Sequence, residues 1–223
     1  MRAIPASGIA LLCGLVALCV IAISPTQAQP LAASKYVEGQ HYQLIKNPVT
    51  PKNQDKIEVT EVFWYGCPHC NQFRPVFENW KKQQGDDVAV KHSPAIWNKP
   101  MIVHAHIFYT AKAFRLDEKM HKEIFDAMHM DNKKLVNPKQ IATLFEKHGI
   151  SKEQFDKTFD SFGVKSQVQQ ASARARNYGI TGTPEVIVNG KYRISGRMVQ
   201  GGQAEVLKVA DFLVKKERAA KKS

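Results

Sequence analysis

The sequence predicts an α/β protein in which a helical block interrupts a core of strands and helices. First, Lys56–Trp64 is rich in β-branched and aromatic residues and predicts a strand. It is followed by a predicted helix, Pro68–Gln84, and a second predicted strand, Val88–His92. Residues 100–178 then carry apolar side chains at helical spacing almost throughout. Finally, the pattern returns to short strands joined by a turn signal, and a last amphipathic helix closes the chain.

The first part of this core begins with a short predicted strand at Tyr42–Ile45. The strand at Lys56–Trp64 leads directly into the helix at Pro68–Gln84, in which Pro75 is expected to produce a kink. Two cysteines, Cys67 and Cys70, therefore lie at the junction of a strand and a helix.

Four helices are predicted inside the helical block, and their boundaries have identifiable start signals. Asn137 before Pro138 indicates an N-cap with proline in the first turn, and Ser151 with Gln154 fits a capping box. A further break is expected near Phe162–Gly163. The four predicted segments are Ile102–Phe114, Asp117–Met130, Pro138–His148 and Ser151–Arg176.

The last part of the chain returns to strand patterns. Glu185–Val188 and Tyr192–Ser195 flank Asn189-Gly190, which is a strong hairpin signal, and Gln203–Arg218 forms the closing helix. This order of elements is that of a thioredoxin-like core with an inserted helical domain. The predicted parts are residues 29–99 and 179–223 for the core and residues 100–178 for the insertion.

The composition is ordinary for a folded protein apart from its charge. Hydrophobic residues make up 43% and charged residues 23% of the chain, which excludes wholesale disorder. The net charge of +12 comes from scattered lysines and a basic tail, without the alternation of basic and aromatic residues typical of nucleic-acid readers. We therefore predict a solvated basic surface and no nucleic-acid partner.

The amino terminus has the layout of a secretory signal. Arg2 is followed by an apolar run from Gly8 to Ile23 and then by small residues ending at Ala28. We predict that residues 1–28 form a cleaved signal peptide, and a retained anchor helix is the alternative. Export through this signal would place the mature protein in an oxidising compartment.

Removal of the signal would leave two of the four cysteines, Cys67 and Cys70. A disulfide between residues so close in sequence restricts the unfolded chain little, so it is a poor structural staple. A zinc site needs further ligands, and the histidines at positions 104, 106, 121, 129 and 148 show no ligand-like grouping. Covalent haem attachment is excluded because residue 71 is Asn. A redox-active pair is the favoured interpretation, with a structural disulfide or a metal site as the alternatives.

The predicted position of Cys67 explains how such a pair would react. The first turn of a helix presents unpaired backbone N–H groups and the positive end of the helix dipole, and both favour a thiolate. Cys67 is therefore the predicted nucleophile, and Cys70, one turn later, should be less exposed. His69 is expected to add positive charge or an N–H donor toward the sulfur, Pro68 to shape the turn, and Gly66 to admit another chain.

Thr183-Pro184, directly before the strand Glu185–Val188, is a second candidate feature of the site. A proline that starts a strand after a turn of small residues is a candidate for a cis peptide bond. Combined with the cysteine pair upstream, this position predicts a cis Thr183–Pro184 bond.

Together these motifs resemble the DsbA family of periplasmic thiol:disulfide interchange proteins. The resemblance rests on Cys67-Pro68-His69-Cys70, on the Thr-Pro before the hairpin and on the long helical insertion, and it covers nearly all of the mature chain. It implies that Cys67 attacks, that Cys70 resolves, and that the two form the Cys67–Cys70 disulfide. It also implies a buried acidic residue at Glu61, six positions before Cys67.

The resemblance further implies how the protein meets its partners. A peptide groove would be lined near Gln72 and Phe73 as well as His69, Thr183 and Pro184. A membrane quinone reductase similar to DsbB would reoxidise the pair, no cofactor would bind the protein itself, and the substrates would be exported proteins with reduced cysteines. A monomer is expected.

Other functions remain open from the sequence alone. A disulfide isomerase or reductase is one alternative, although the short stretch before Lys56 has no room for the dimerisation domain that such isomerases carry. A non-enzymatic peptide-holding or copper-delivering module is another.

Overall fold

A computed structural model describes residues 35–221, so the predicted signal peptide lies outside the described residues. Within them the chain forms five strands and seven helices. The strands are β1 (Gln43–Leu44), β2 (Ile57–Phe63), β3 (Val88–Pro94), β4 (Glu185–Val188) and β5 (Tyr192–Ser195). The helices are α1 (Pro68–Lys81), α2 (Lys99–Ala113), α3 (Asp117–His129), α4 (Pro138–Glu146), α5 (Lys152–Phe159), α6 (Phe162–Asn177) and α7 (Gly202–Ala220).

The five strands form one mixed sheet in the order β1-β5-β4-β2-β3. Strands β2 and β3 are parallel, whereas β2 with β4, β4 with β5 and β5 with β1 are antiparallel. In this register Glu61, in the middle of β2, lies opposite His92 of β3 on one side and Val186 of β4 on the other. The central position of β2 brings the residues that follow it to the heart of the fold.

Helices cover both faces of the sheet because successive residues of β2 point to opposite sides. Ile57 and Val59 pack with apolar residues of α1 and α7, whereas Val62 packs with residues of α2 and α6. Phe63 joins a third cluster that extends into the helical block and includes both cysteines. The reaction centre thus lies where the sheet meets the block α2–α6.

The start signals predicted for the block are confirmed. The Asn137 side chain accepts a hydrogen bond from the backbone of Lys139, and Ser151 and Gln154 form a reciprocal capping box. The break expected near Phe162–Gly163 is present, and it divides the last predicted segment into α5 and α6. The Ser161 side chain caps α6 by accepting from the backbone of Val164, so Gly163 lies inside the helix.

Local backbone demands explain the predicted hairpin. Asn189 and Gly190 both have positive φ, 52° and 63°, as a two-residue hairpin of this kind requires. A Cβ atom on Gly190 would lie 1.8 Å from the carbonyl oxygen of Val49, so this turn also needs glycine for space. Of the helices between residues 35 and 221, none combines the length and the apolarity needed to cross a membrane.

Candidate active site

Cys67 occupies the N-cap position of α1, as the sequence predicted. Its backbone is extended, Pro68 follows at the first helical position, and no side chain caps the helix. The Cys67 N–H donates to the Trp64 carbonyl oxygen at 3.0 Å, which fixes the turn from β2 into α1. The open helix terminus therefore leaves its N–H groups available to the Cys67 sulfur.

Hydrogen bonds lower the pKa of Cys67 from 9.0 to about 5. The largest contribution is the hydrogen bond from the Cys70 thiol. Partial burial opposes it, while the Thr183 side chain and the backbone N–H groups of Cys70 and His69 add to it. When protonated, the Cys67 thiol donates to the Thr183 carbonyl oxygen at 3.3 Å. Cys67 is thus held as a thiolate at neutral pH.

Cys70 has the opposite character. It is fully buried, whereas Cys67 is 8% exposed, so the predicted difference in exposure is confirmed. Burial, the hydrogen bond to Cys67 and the charge of Glu61 all raise the pKa of Cys70 well above that of a free thiol. Both residues are thiols in this structure, and the Cys67–Cys70 disulfide stays a prediction.

The loop before β4 completes the site around Cys67. The Thr183–Pro184 peptide bond is cis, as predicted, and Thr183 contacts the sulfur through its carbonyl group. Glu185, the next residue, is 1% exposed, and its side chain lies close to Thr181 and Arg193. The sequence analysis did not identify this buried carboxyl group.

A cavity of about 350 Å³ is bounded by Thr183, which contacts Cys67, and it includes most of the residues predicted to line a peptide groove. His69, Phe73, Thr183 and Pro184 line it, but Gln72 does not: its side chain is exposed elsewhere on α1. Several lining residues were missed because they come from the end of β5, the loop that follows it and the first turns of α7. They are Ser195, Gly196, Arg197, Gly202, Gln203 and Val206, and the glycines among them were the one available signal.

The contacts of His69 and Gly66 match the sequence-based expectation only in part. His69 is exposed and contributes its backbone N–H to the Cys67 sulfur. Its carbonyl oxygen accepts a hydrogen bond from the Gln203 side chain at 2.8 Å. Gly66 leaves space for the ring of Trp64 rather than for another chain, because a Cβ atom there would lie 2.4 Å from that ring.

Glu61 is buried, 1% exposed, as the resemblance implied. Its carboxylate is hydrogen bonded to Nδ1 of His92 at 2.8 Å, and Nε2 of the same ring is hydrogen bonded to Glu78 at 3.0 Å. Burial alone would lower the pKa of His92, but the two carboxylates raise it to about 9. His92 is therefore a cation between two carboxylates at neutral pH.

The expectation that the histidines form no ligand-like grouping was wrong for His121. Ligand atoms of Glu61, His92 and His121 lie within 4.8 Å of one another, close enough to hold a metal ion. The protein itself already satisfies these rings, since both His92 nitrogens bind carboxylates and His121 Nδ1 is 3.1 Å from the Tyr65 hydroxyl. We assign no metal ligand here.

Comparisons with known proteins agree with this geometry. Residues 97–207 match the family model described as a DSBA-like thioredoxin domain. The chain is 40% identical over 195 residues to the thiol:disulfide interchange protein DsbA of Azotobacter vinelandii, covering 87% of this chain and 91% of that protein. It is 36% identical to DsbA of Pseudomonas aeruginosa over 208 residues, covering 93% and 98% of the two chains.

Solved structures give the same result. The crystal structure of Pseudomonas aeruginosa DsbA superposes with a TM-score of 0.80 at 39% identity, covering 86% of this chain and 99% of that one. DsbA from Xylella fastidiosa superposes with a TM-score of 0.78 at 29% identity, covering 82% and 98%. The predicted fold class, a thioredoxin-like core with an inserted helical domain, is confirmed, and the chain belongs to the DsbA family of thiol:disulfide interchange proteins.

Proposed function

We propose that this protein is a dithiol oxidase that donates the Cys67–Cys70 disulfide to newly exported proteins. The observation that carries the proposal is the stabilised Cys67 thiolate at the start of α1, next to the cis Thr183–Pro184 bond. A stabilised thiolate favours the reduced form of the pair, so the disulfide form is a strong oxidant. Family membership supports the same activity.

The reaction consists of two exchanges. A substrate thiolate attacks the Cys67 sulfur, the Cys67–Cys70 bond breaks, and Cys70 leaves with the electron pair and takes up a proton. A second substrate thiolate then attacks the substrate sulfur of the mixed disulfide, and Cys67 leaves as a thiolate. The substrate has lost two electrons to the pair, and the low pKa of Cys67 makes it a good leaving group in the second exchange.

The cavity beside Cys67 supports binding of an extended peptide. Phe73 and Pro184 give it apolar surface, and the backbone at Thr183 lies two residues before β4, where a peptide strand would find main-chain partners. Main-chain hydrogen bonds carry little sequence information, so the proposed selectivity is loose and suits many unfolded substrates.

The proposed setting is the periplasm, reached through the signal predicted at residues 1–28. In that compartment a DsbB-like membrane quinone reductase would reoxidise the pair, and the protein would act as a monomer. Membership of the DsbA family and the predicted signal support this proposal.

Oxidation of a reduced test peptide with two cysteines tests the proposed activity. We expect the oxidised protein to convert the peptide to its disulfide and Cys67→Ser to be inactive. Cys70→Ser is the matched control, because it retains the attacking sulfur and should form a mixed disulfide with an oxidised peptide without completing the exchange. Equal activity of wild type and Cys67→Ser would refute the proposal and favour a non-enzymatic binding module.

Equilibration of the pair with glutathione separates a dithiol oxidase from a reductase. We expect the pair to be mostly reduced at a ratio of glutathione to glutathione disulfide that leaves a typical structural disulfide intact. A pair that stays oxidised under those conditions would favour the reductase alternative.

A further inference from the structure

The cavity of about 350 Å³ next to Thr183 has one guanidinium group on its wall and no carboxylate. Among the described residues that line it, Arg197 is the one arginine or lysine, and none is an aspartate or a glutamate. Phe73, Pro184 and Val206 supply apolar surface to the same cavity. A peptide lying there would therefore meet an apolar wall and a cationic group.

Hydrogen bonds fix the loop that carries Arg197. The Arg197 N–H donates to the Ser195 hydroxyl at 3.4 Å, and the Met198 N–H donates to the Ser195 carbonyl oxygen at 2.9 Å. After the loop, the Gln203 side chain donates to the His69 carbonyl oxygen at 2.8 Å, which ties the start of α7 to the start of α1. The loop between β5 and α7 is thus held next to the first turn of α1.

The guanidinium group of Arg197 differs from most others in the described part of the chain because nothing pairs with it. Most arginines between residues 35 and 221 donate to oxygens of the protein, and these are Arg74, Arg174, Arg176, Arg193 and Arg218. In the same range, the exposed side chains of Arg197 and Arg115 make neither a hydrogen bond nor an ion pair. Arg197 is therefore available to a group on a bound peptide.

The carboxyl groups that flank the cavity in sequence already have cationic partners. Glu185 is buried, and its carboxyl oxygen lies 3.7 Å from the guanidinium group of Arg193. Glu205, in the first turn of α7, pairs with Lys208 at 3.0 Å. Neither carboxyl group forms an ion pair with Arg197, so a carboxylate that pairs with Arg197 would come from the bound peptide.

We propose that Arg197 selects substrates with an aspartate or glutamate close to the reacting cysteine, by pairing with that carboxylate. This inference rests on the proposed function. Thr183 contacts Cys67, so the substrate cysteine would lie beside Thr183. A compact space of 350 Å³ is about 9 Å across, which is about three residues of extended chain. The selected carboxylate therefore belongs to a residue within three positions of the cysteine, where a guanidinium group can donate two parallel hydrogen bonds to it.

The test compares reduced peptides that differ only in having a glutamate or a glutamine two positions before, or two positions after, a cysteine. The measurement is kcat/KM for their oxidation by the oxidised protein, divided by the fraction of peptide thiolate and expressed as the ratio of glutamate to glutamine peptide. For wild type we expect a ratio of about 3 in at least one placement, because an ion pair in contact with water is weak. The ratio should fall to about 1 in Arg197→Gln and below 1 in Arg197→Glu, and high salt should reduce the wild-type ratio.

Arg115→Gln is the matched control, because it removes the same charge from another exposed, unpaired arginine that does not line the cavity. We expect it to keep the wild-type ratio. A ratio that is the same in wild type and Arg197→Gln in both placements would overturn the proposal, and so would an equal decrease in Arg115→Gln, which would assign the preference to net charge. Failure of wild type to oxidise any of the peptides would instead refute the proposed function.

Discussion

Reduction of the cysteine pair should make the stability of this protein depend on pH through Cys67. The pKa of Cys67 is about 5 in the folded chain, compared with 9.0 for an unperturbed thiol, which the unfolded chain approximates. A lowered pKa contributes stability that is fully present above the unfolded value and is lost as pH falls through the folded value. Between pH 5 and 9 the unfolded state therefore binds one more proton, and the free energy of unfolding rises by about 1.4 kcal/mol per pH unit.

This slope gives a magnitude that urea denaturation can measure. Two pH units separate the folded pKa from neutrality, so the Cys67 thiolate should contribute about 3 kcal/mol to the stability of the reduced protein at pH 7. The Cys67 side chain is only 8% exposed, so screening by solvent reduces this value little.

The assay compares reduced wild type with reduced Cys67→Ala. Because Cys67 is already half ionised at pH 5 in the folded chain, their difference in unfolding free energy should grow by about 2 kcal/mol between pH 5 and pH 7. Loss of side-chain packing in the variant is independent of pH, so it shifts the difference without changing the slope. The oxidised wild type, which has no ionisable thiol at either position, should lack this slope. A difference that is the same at pH 5 and pH 7 would refute the reasoning.

Three further predictions concern His69, a buried carboxyl group and two glycines. His69→Pro removes the backbone N–H that faces the Cys67 sulfur, so it should raise the Cys67 pKa more than His69→Ala, which retains that N–H; equal pKa values by ultraviolet titration would contradict this. Burial raises the pKa of Glu185, so its contribution to stability is present below the unfolded pKa and is lost as pH rises. In urea denaturation, Glu185→Gln should therefore change the free energy of unfolding more favourably at pH 7 than at pH 4. An equal change at both pH values would contradict a raised pKa of Glu185. Gly190→Ala would place a Cβ atom 1.8 Å from the Val49 carbonyl oxygen, so it should lower the melting temperature strongly. Gly149 has a similar positive φ but no neighbouring atom within 4 Å, so Gly149→Ala should lower the free energy of unfolding by only about 1 kcal/mol. Similar losses in both glycine variants would contradict the steric argument.

Local patterns explain why most of the fold was predictable. The strand expected at Lys56–Trp64 is Ile57–Phe63, and the hairpin strands coincide with their predicted ranges, because strand propensity and turn chemistry act over a few residues. The break predicted near Phe162–Gly163 has a local cause as well. Ser161 supplies the capping side chain directly before Phe162, where α6 starts, and Gly163 lies inside the helix.

The candidate site was predictable only where its residues follow a local rule. The role of Cys67 was predictable from its position at the start of a helix, and the cis Thr183–Pro184 bond from a proline between a turn and a strand. The contact between Glu61 and His92 depends on the register of β2 against β3, which a single sequence does not specify. Arg197 and Gln203 line the cavity because the tertiary fold brings a segment distant in sequence next to Thr183 and Pro184. No local sequence pattern therefore predicts them as lining residues.

The central claim is that the fold holds the Cys67 sulfur as a thiolate at the start of α1. Ultraviolet absorbance of the thiolate in the reduced protein, followed from pH 3 to 10 with Cys67→Ala as the blank, measures this directly. We expect a single transition with a pKa of about 5 that is absent from the blank. A transition near 9.0, the value of an unperturbed thiol, would contradict the claim.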